Sequence, residues 1–361
     1  MDTAVTGAPV RYLVLPRWGA NRVYRAATGA LAAAELGFVD RALFGGRLGG
    51  IEAVDVGGVE YLAFTAEGPL GDRDVAVLAN LAHLHALFRV EGDLLAPITI
   101  APHLAQDEDV TTIQRYQGKT NEQFTHLLVN VTLAAASDAF GRLLGGATLT
   151  LLDPVCGRGT SLNRAVAYGM DAVGVDADRR DLEAYHLFLT TWLKDKRIPH
   201  KATGATLRKG RDTPARTYTV TYGPDRKAPA HRVRVVNDDT ARVGDHVAAR
   251  SVDVAVADLP YGVQHESRGG AGVSRRPGDL LAAALPAWVA VLRPSGALGL
   301  AWNRKTLSRP ELVARVRDAG LHVVGDEDDD GFVHKVDRVI TRDVLVATPR
   351  PRAAATPASS R

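Results

Sequence analysis

Cysteine is almost absent from this 361-residue chain; Cys156 stands alone. A single thiol excludes an internal disulfide framework and a cysteine-rich zinc site. It fits a reducing compartment, so the expected location is the cytoplasm. Long apolar runs are missing as well. None approaches the roughly 18 residues that read as a membrane span. Yet 46% of residues are hydrophobic, enough to fill a large core. The opening MDTAVTGAPVRYLVLPRW lacks the basic start, long apolar middle and small-residue cleavage site of a secretory signal. No membrane partner is expected. No metal is expected either: His83 and His85 lie two apart on an expected helix, which points them apart. Nothing in the composition sets the oligomeric state.

Net charge is also small, +3, but it is unevenly spread. Residues 194–234 carry twelve Lys and Arg against three Asp, a local +9 that leaves the remainder negative. A basic segment, Lys194 to Arg234, on a mildly acidic chain is the footprint of a polyanion contact.

Two patterns divide the chain. Residues 11–100 read as βαββαβ, the α+β ferredoxin-like arrangement. The pieces are RYLVL, an Ala-rich helix over 21–36 stopped by Gly37, a hairpin IEAVDV–GG–VEYLAFT, a helix from Asp72 to about Phe88, and LLAPITI. A polar stretch follows, then one long amphipathic helix over 120–144 capped by Thr120 or Asn121. From 147 the pattern is strand, loop, helix, repeated: ATLTLLD, DAVGVD, RVRVVND, VDVAVAD, ALGLAWN, LHVVGDE and RVITRDVLVAT. This is a Rossmann-like α/β sheet, parallel with an antiparallel last strand. The expected units are a 1–102 ferredoxin-like domain, a 103–146 connector and helix, a 147–347 catalytic domain with a basic insertion at about 195–231, and a Pro/Ala/Ser-rich disordered tail over 348–361.

The strand ends carry the chemistry. LLDPVCGRGT puts Asp153 at a strand end, before the turn Gly157-Arg158-Gly159 and a helix start. A dinucleotide turn has a third glycine, but Leu162 stands there. A carboxylate beside this turn repels a pyrophosphate and suits the ammonium of an amino-acid moiety, which favours S-adenosylmethionine. Asp176 ends the next strand, where an acid accepts ribose hydroxyls. Asp238 or Asp239 follows the third strand, placed to take an adenine amino hydrogen, although Asn-Asp-Asp is also ordinary turn chemistry. DLPYG, 258–262, follows the fourth. An exocyclic amine is a poor nucleophile because its lone pair is delocalised into the ring. Asp258 accepting one N–H, and a backbone carbonyl accepting the other, push that nitrogen toward tetrahedral geometry. Pro260 stiffens the turn. Tyr261 offers a stacking face worth about 1–3 kcal/mol. Lys119 and Asn121 either touch substrate or cofactor or serve as cap chemistry. Cys156 reads as a small buried filler, and DEDDD, 326–330, as a solvated loop.

DPVCGRGT, then GVDAD, then DLPYG resembles the S-adenosylmethionine-dependent amino-methyltransferases, and more closely the tRNA guanosine-N2 methyltransferases related to THUMP-domain enzymes. The resemblance spans most of 100–347, and no THUMP domain is recognisable. It implies that Asp153, Gly157 and Gly159 line the methionine part of S-adenosylmethionine, with Pro154, Cys156 and Thr160 of the same motif. It implies that Asp176 and Ala177 hold ribose. It implies that Asp258, Leu259, Pro260 and Tyr261 hold the target amine, with Asp258 also beside the cofactor. The implied substrate is guanosine N2 in tRNA, reached through the basic segment and the N-terminal domain. A DNA adenine-N6 or cytosine-N4 methyltransferase shares the motif order. A silent binding module would have lost one of the acids. A hydride-transfer enzyme is disfavoured by Leu162 and DLPYG.

Overall fold

Alternating apolar residues and paired glycines build the first sheet. The computed structural model describes residues 9–19, 22–207, 215–225, 230–260, 277–327 and 329–349. Strand β1 is Val10–Pro16 and helix α1 is Arg22–Val39. Strands β2, Leu48–Val56, and β3, Val59–Ala66, meet at Gly57-Gly58, both with positive φ (63° and 81°), as a two-residue hairpin turn requires. Helix α2 is Asp72–Leu78, β4 is Leu84–Glu91 and β5 is Leu94–Ile98. The strand order is β2-β3-β1-β4-β5, with every neighbouring pair antiparallel.

Two expectations fail in this part. Gly37 does not stop α1. The buried Leu36, Phe38 and Val39 keep the apolar stripe going, which offsets the roughly 1 kcal/mol helix cost of a glycine. The chain turns once more as a π turn over Asp40–Phe44 and stops at Gly45, φ 75°. The second helix does not reach Phe88 either. It ends at Leu78, and 84–91 is a strand. The signal is Glu91-Gly92-Asp93, a turn with Gly92 at φ 60° that joins β4 to β5.

Helix α3 is Asp109–Thr112, α4 is Glu122–Ala135 and α5 is Ala139–Leu144. The expected single helix over 120–144 is thus two, broken where Asp138 takes φ 51°. Asn121 caps α4, its side chain accepting from Gln123 and Phe124 N–H. From Phe124 onward every residue of α4 is buried. The helix lies between the two halves of the molecule.

The second half runs β6 Thr150–Asp153, α6 Thr160–Ala167, β7 Asp171–Asp176, α7 Arg179–Asp195, β8 His200–Leu207, β9 Ala215–Tyr222 and β10 His231–Asn237. It continues with β11 Val252–Asp258, α8 Pro277–Val291, β12 Leu292–Asn303, α9 Arg309–Asp318, β13 His322–Val323, β14 His334–Lys335 and β15 Thr341–Thr348. The order is β13-β15-β12-β11-β6-β7-β10-β9-β8, with β14 beside β15. Strands β12, β11, β6, β7 and β10 are parallel; β15 is antiparallel. The chain leaves β6 toward β7 on one side and returns as β11 on the other. Open α/β sheets place their ligand crevice at such a switch point, outside the carboxyl ends. The basic insertion is a hairpin, β8–β9, extending the sheet beyond β10. Thr348 closes β15 rather than opening a tail. Tyr261, Gly262 and 350–361 lie outside the described residues.

Both sheets share one apolar core through α4, which includes Tyr12, Leu31, Phe64, Phe124, Leu128 and Leu151. A buried polar network crosses the same seam. Glu35 of α1 accepts from Ala82 N–H at 3.0 Å and from Asn130 Nδ2 of α4 at 2.9 Å. Asn130 Oδ1 accepts from Tyr168 OH at 2.8 Å. His83 joins through Glu35 at 3.3 Å and Tyr24 OH at 3.2 Å. His83 is therefore core, while His85 faces solvent. Satisfied buried networks fix one packing geometry, because a misfit leaves a polar group stranded.

Candidate active site

Parallel strands β6, β7 and β11 each end in an aspartate, Asp153, Asp176 and Asp258, and Asp238 directly follows β10. All four stand at the carboxyl ends, around the switch point between β6 and β11. The turn after β6 folds back onto the end of β7. Cys156 N–H donates to Val175 O at 3.0 Å, and Gly157 N–H to Asp176 Oδ2 at 2.8 Å. Gly157 has φ 47°, and a Cβ there would meet nothing within 4 Å. Its surface is open to a ligand. Gly159 has φ 77°, and a Cβ there would collide with the Tyr185 ring. The first glycine admits a ligand; the second admits α7.

Asp153 is 6% exposed. Burial pushes its carboxyl up to about 7. The Ser161 hydroxyl and Val155 N–H oppose the shift, and the charges of Asp176 and Asp258 reinforce it. Asp176 is pushed up too, mainly by burial, against the two N–H groups of Asp178 and Gly157. Those bonds occupy one lone pair on each oxygen, and a carboxylate has about four acceptor positions. Room remains for a diol. Buried acids that repel one another are stabilised by a cationic ligand. No three-residue metal-ligating cluster exists among the described residues.

Asp258 Oδ2 accepts from Thr120 Oγ1 at 2.6 Å and lies 3.7 Å from Arg342 Nη2. Neither partner was singled out for the amine site from sequence. Thr120 comes from the loop before α4, Arg342 from β15, and no local motif joins them. The side chain of Leu259 is 1% exposed and packs in the core, so it does not touch a substrate. Its N–H is taken by Ala301 O at 2.8 Å. The carbonyl is what Leu259 offers. Pro260 is exposed beyond it; the Tyr261 expectation falls outside the described residues.

The loop before α4 covers the glycine turn. Tyr116 OH is 3.0 Å from Thr160 Oγ1, and the Arg158 guanidinium lies 5.0 Å over the Tyr116 ring. Lys119 donates to Thr111 O at 2.8 Å and faces Glu122 at 3.5 Å. Lys119 and Asn121 are thus engaged in loop and cap bonds. Pro154 and Cys156 are buried, and burial pushes the Cys156 thiol well up, as for an inert filler. Ala177 is exposed, its carbonyl accepting from Asn237 Nδ2 at 2.8 Å. Asp238 Oδ2 lies 2.7 Å from His246 Nε2. Asp239 caps the 3-10 turn Thr240–Asp245 by accepting from Ala241 N–H, the turn-chemistry alternative.

The basic segment divides as well. Lys196 pairs with Asp107 and Asp109, and Arg234 bonds His246 O. Lys194, Arg197, Lys201, Arg216 and Arg232 are exposed. Arg208, Lys209, Arg211, Arg226 and Lys227 lie outside the described residues. The acidic run is not merely solvated: Asp329 pairs with Arg41, and Asp330 with Arg304.

No family model matches this chain, and no curated protein matches it. Solved structures do. TrmN from Thermus thermophilus aligns at 15% identity over 70% of this chain and 55% of its own, with a TM-score of 0.39. The T. thermophilus 16S rRNA N2 G1207 methyltransferase RsmC aligns at 18% identity over 84% and 59%, with a TM-score of 0.35. An rRNA methylase from Streptococcus thermophilus aligns at 10% identity over 64% and 98%, with a TM-score of 0.34. This chain therefore spans little more than half the length of TrmN and RsmC. All three scores are below 0.5, a range in which neither activity nor substrate transfers.

Proposed function

We propose that this chain is an S-adenosylmethionine-dependent methyltransferase acting on an exocyclic amino nitrogen of a nucleobase, with guanosine N2 in tRNA as the substrate. One observation carries the reading. Three strand-end carboxylates, Asp153 buried and Asp176 and Asp258 partly so, gather beside an open glycine turn at the switch point, and burial pushes two of them up. A pyrophosphate is repelled there; an ammonium and a sulfonium are attracted.

S-adenosylmethionine supplies an electrophilic methyl group. Asp153 holds the ammonium, and the surface over Gly157 takes the methionine chain. Asp176 accepts from the ribose. Asp238 is the candidate for the adenine amino group. Asp258 and the Leu259 carbonyl each accept one N–H of the target amine, which frees its lone pair for the methyl carbon. The bound cofactor would supply the methyl group, and Asp258 and the Leu259 carbonyl would hold the nitrogen in line with it. Preorganised acceptors of this kind lower the barrier because they need no rearrangement during the step.

The exposed Lys194, Arg197, Lys201, Arg216 and Arg232 near the β8–β9 hairpin are the candidate phosphate contacts. The test is methyl transfer from labelled S-adenosylmethionine to bulk tRNA, rRNA and genomic DNA from cells lacking the gene, with nucleoside mass spectrometry. N2-methylguanosine in tRNA is the expected product. N6-methyladenine or N4-methylcytosine in DNA moves the protein to the DNA class.

A further inference from the structure

Asp258 ends a parallel strand, and its approach to the target amine depends on which way its carboxylate faces. One donor and one cation meet the same oxygen. Thr120 Oγ1 donates to Oδ2 at 2.6 Å, and Arg342 Nη2 lies 3.7 Å from it. We propose that Thr120 and Arg342 are positioning residues that lock the Asp258 carboxylate for the amine. The proposal rests on the methyltransferase reading above for its consequence, though not for its geometry.

Arg342 is built into the site. It is 4% exposed, on the antiparallel strand β15, beside β12. Its guanidinium lies over the Phe124 ring at 4.5 Å. Phe124 sits at the start of α4, four residues after Thr120. The His334 ring of β14 contacts Phe124 at 5.2 Å and Tyr24 of α1 edge-on at 6.0 Å. One packed stack thus runs from the first half of the molecule to the catalytic carboxylate. Burying a guanidinium is costly unless an anion answers it, and Asp258 is the carboxylate it faces in this stack. A carboxylate only 24% exposed gains from such a counter-charge, and an amine needs its acceptor at a fixed angle. Thr120 sets the angle; Arg342 sets the charge balance.

The groups packed around this pair are also placed. His334 is lowered to about 4, chiefly by burial, so it stays neutral at ordinary pH. Arg342, a guanidinium that stays charged, is then a cation of the stack at neutral pH.

The test uses the full chain with Thr120→Val, Thr120→Ser, Arg342→Met and Arg342→Lys. Transfer to bulk tRNA is measured alongside sinefungin binding. A misplaced acceptor costs up to about 100-fold in rate. Thr120→Val and Arg342→Met are expected to lose about 10- to 100-fold in kcat, with sinefungin affinity unchanged. Thr120→Ser is expected to restore kcat, and Arg342→Lys to fall between. Unchanged kcat in both Val and Met variants overturns the proposal, as does an equal loss of sinefungin affinity. A second readout needs no turnover. Crystal structures of Thr120→Val and Arg342→Met are expected to show Asp258 in altered or multiple rotamers. A single unaltered rotamer in both overturns the lock even if the methyltransferase reading stands; an inactive wild-type chain with mobile Asp258 in the variants overturns only that reading.

Discussion

Leu162 of α6 and Gly174 of β7 pack face to face. A Cβ on Gly174 would lie 2.8 Å from Leu162 Cδ1 and 2.6 Å from Cys156 Sγ. A dinucleotide turn places a glycine on the helix so that helix and sheet can approach. Here the helix keeps a leucine and the strand supplies the glycine. Gly174→Ala is expected to destabilise the fold by about 1–3 kcal/mol through overpacking. Denaturant unfolding measures it, and Leu162→Ala in the same chain is expected to recover part of the loss.

The carboxyl of Asp153 gives a pH signature. Its folded value is pushed up to about 7, above an unfolded value near 3.9. Between those values the folded state binds the extra proton. This group's effect therefore lowers stability as pH rises from about 4 to about 7, and the penalty is complete above that. Asp153→Asn removes the penalty. The ligand-free variant is expected to melt higher than wild type at pH 8 and close to it at pH 4, by scanning calorimetry.

Ligand affinity runs the opposite way. An ammonium needs Asp153 ionised, so affinity for S-adenosylmethionine is expected to rise with pH up to about 7 and then level off. Titration in buffers of different ionisation enthalpy is expected to show proton release on binding at pH 6. No pH dependence between 5.5 and 8 contradicts the role of Asp153.

Much of this was legible in sequence because it is local. The glycine turn, the strand-end acids and the antiparallel last strand each announce themselves within ten residues. What was missed is non-local or cooperative. β4 hid behind an apparent helix because Ala86 to Phe88 fit either period, and the Gly92 turn decided it. Leu259 looked like site chemistry, yet its side chain belongs to the core beneath the site. Thr120 and Arg342 reach Asp258 only through the fold.

The seam between the halves is also invisible in sequence. Glu35, Asn130 and Tyr168 come from α1, α4 and the end of α6, and all are buried. Asn130→Leu removes the acceptor of the Tyr168 hydroxyl, which keeps His126 Nε2 as a partner, and takes a donor from Glu35 and from the Asn80 carbonyl. A cost of about 1–3 kcal/mol is expected from the lost buried hydrogen bonds. A chain beginning at residue 103 is expected to aggregate, since α4 would lose its packing against α1. Light scattering and far-UV circular dichroism decide it.

Asp153 and its neighbouring strand-end acids are the proposed seat of S-adenosylmethionine. Isothermal titration of the wild-type chain and Asp153→Asn at pH 7.5 tests this. One molecule bound per chain is expected, with affinity about 10- to 100-fold weaker in the variant, the loss typical of a hydrogen bond to a charged group. No saturable binding to the wild-type chain, or equal binding to both, contradicts it.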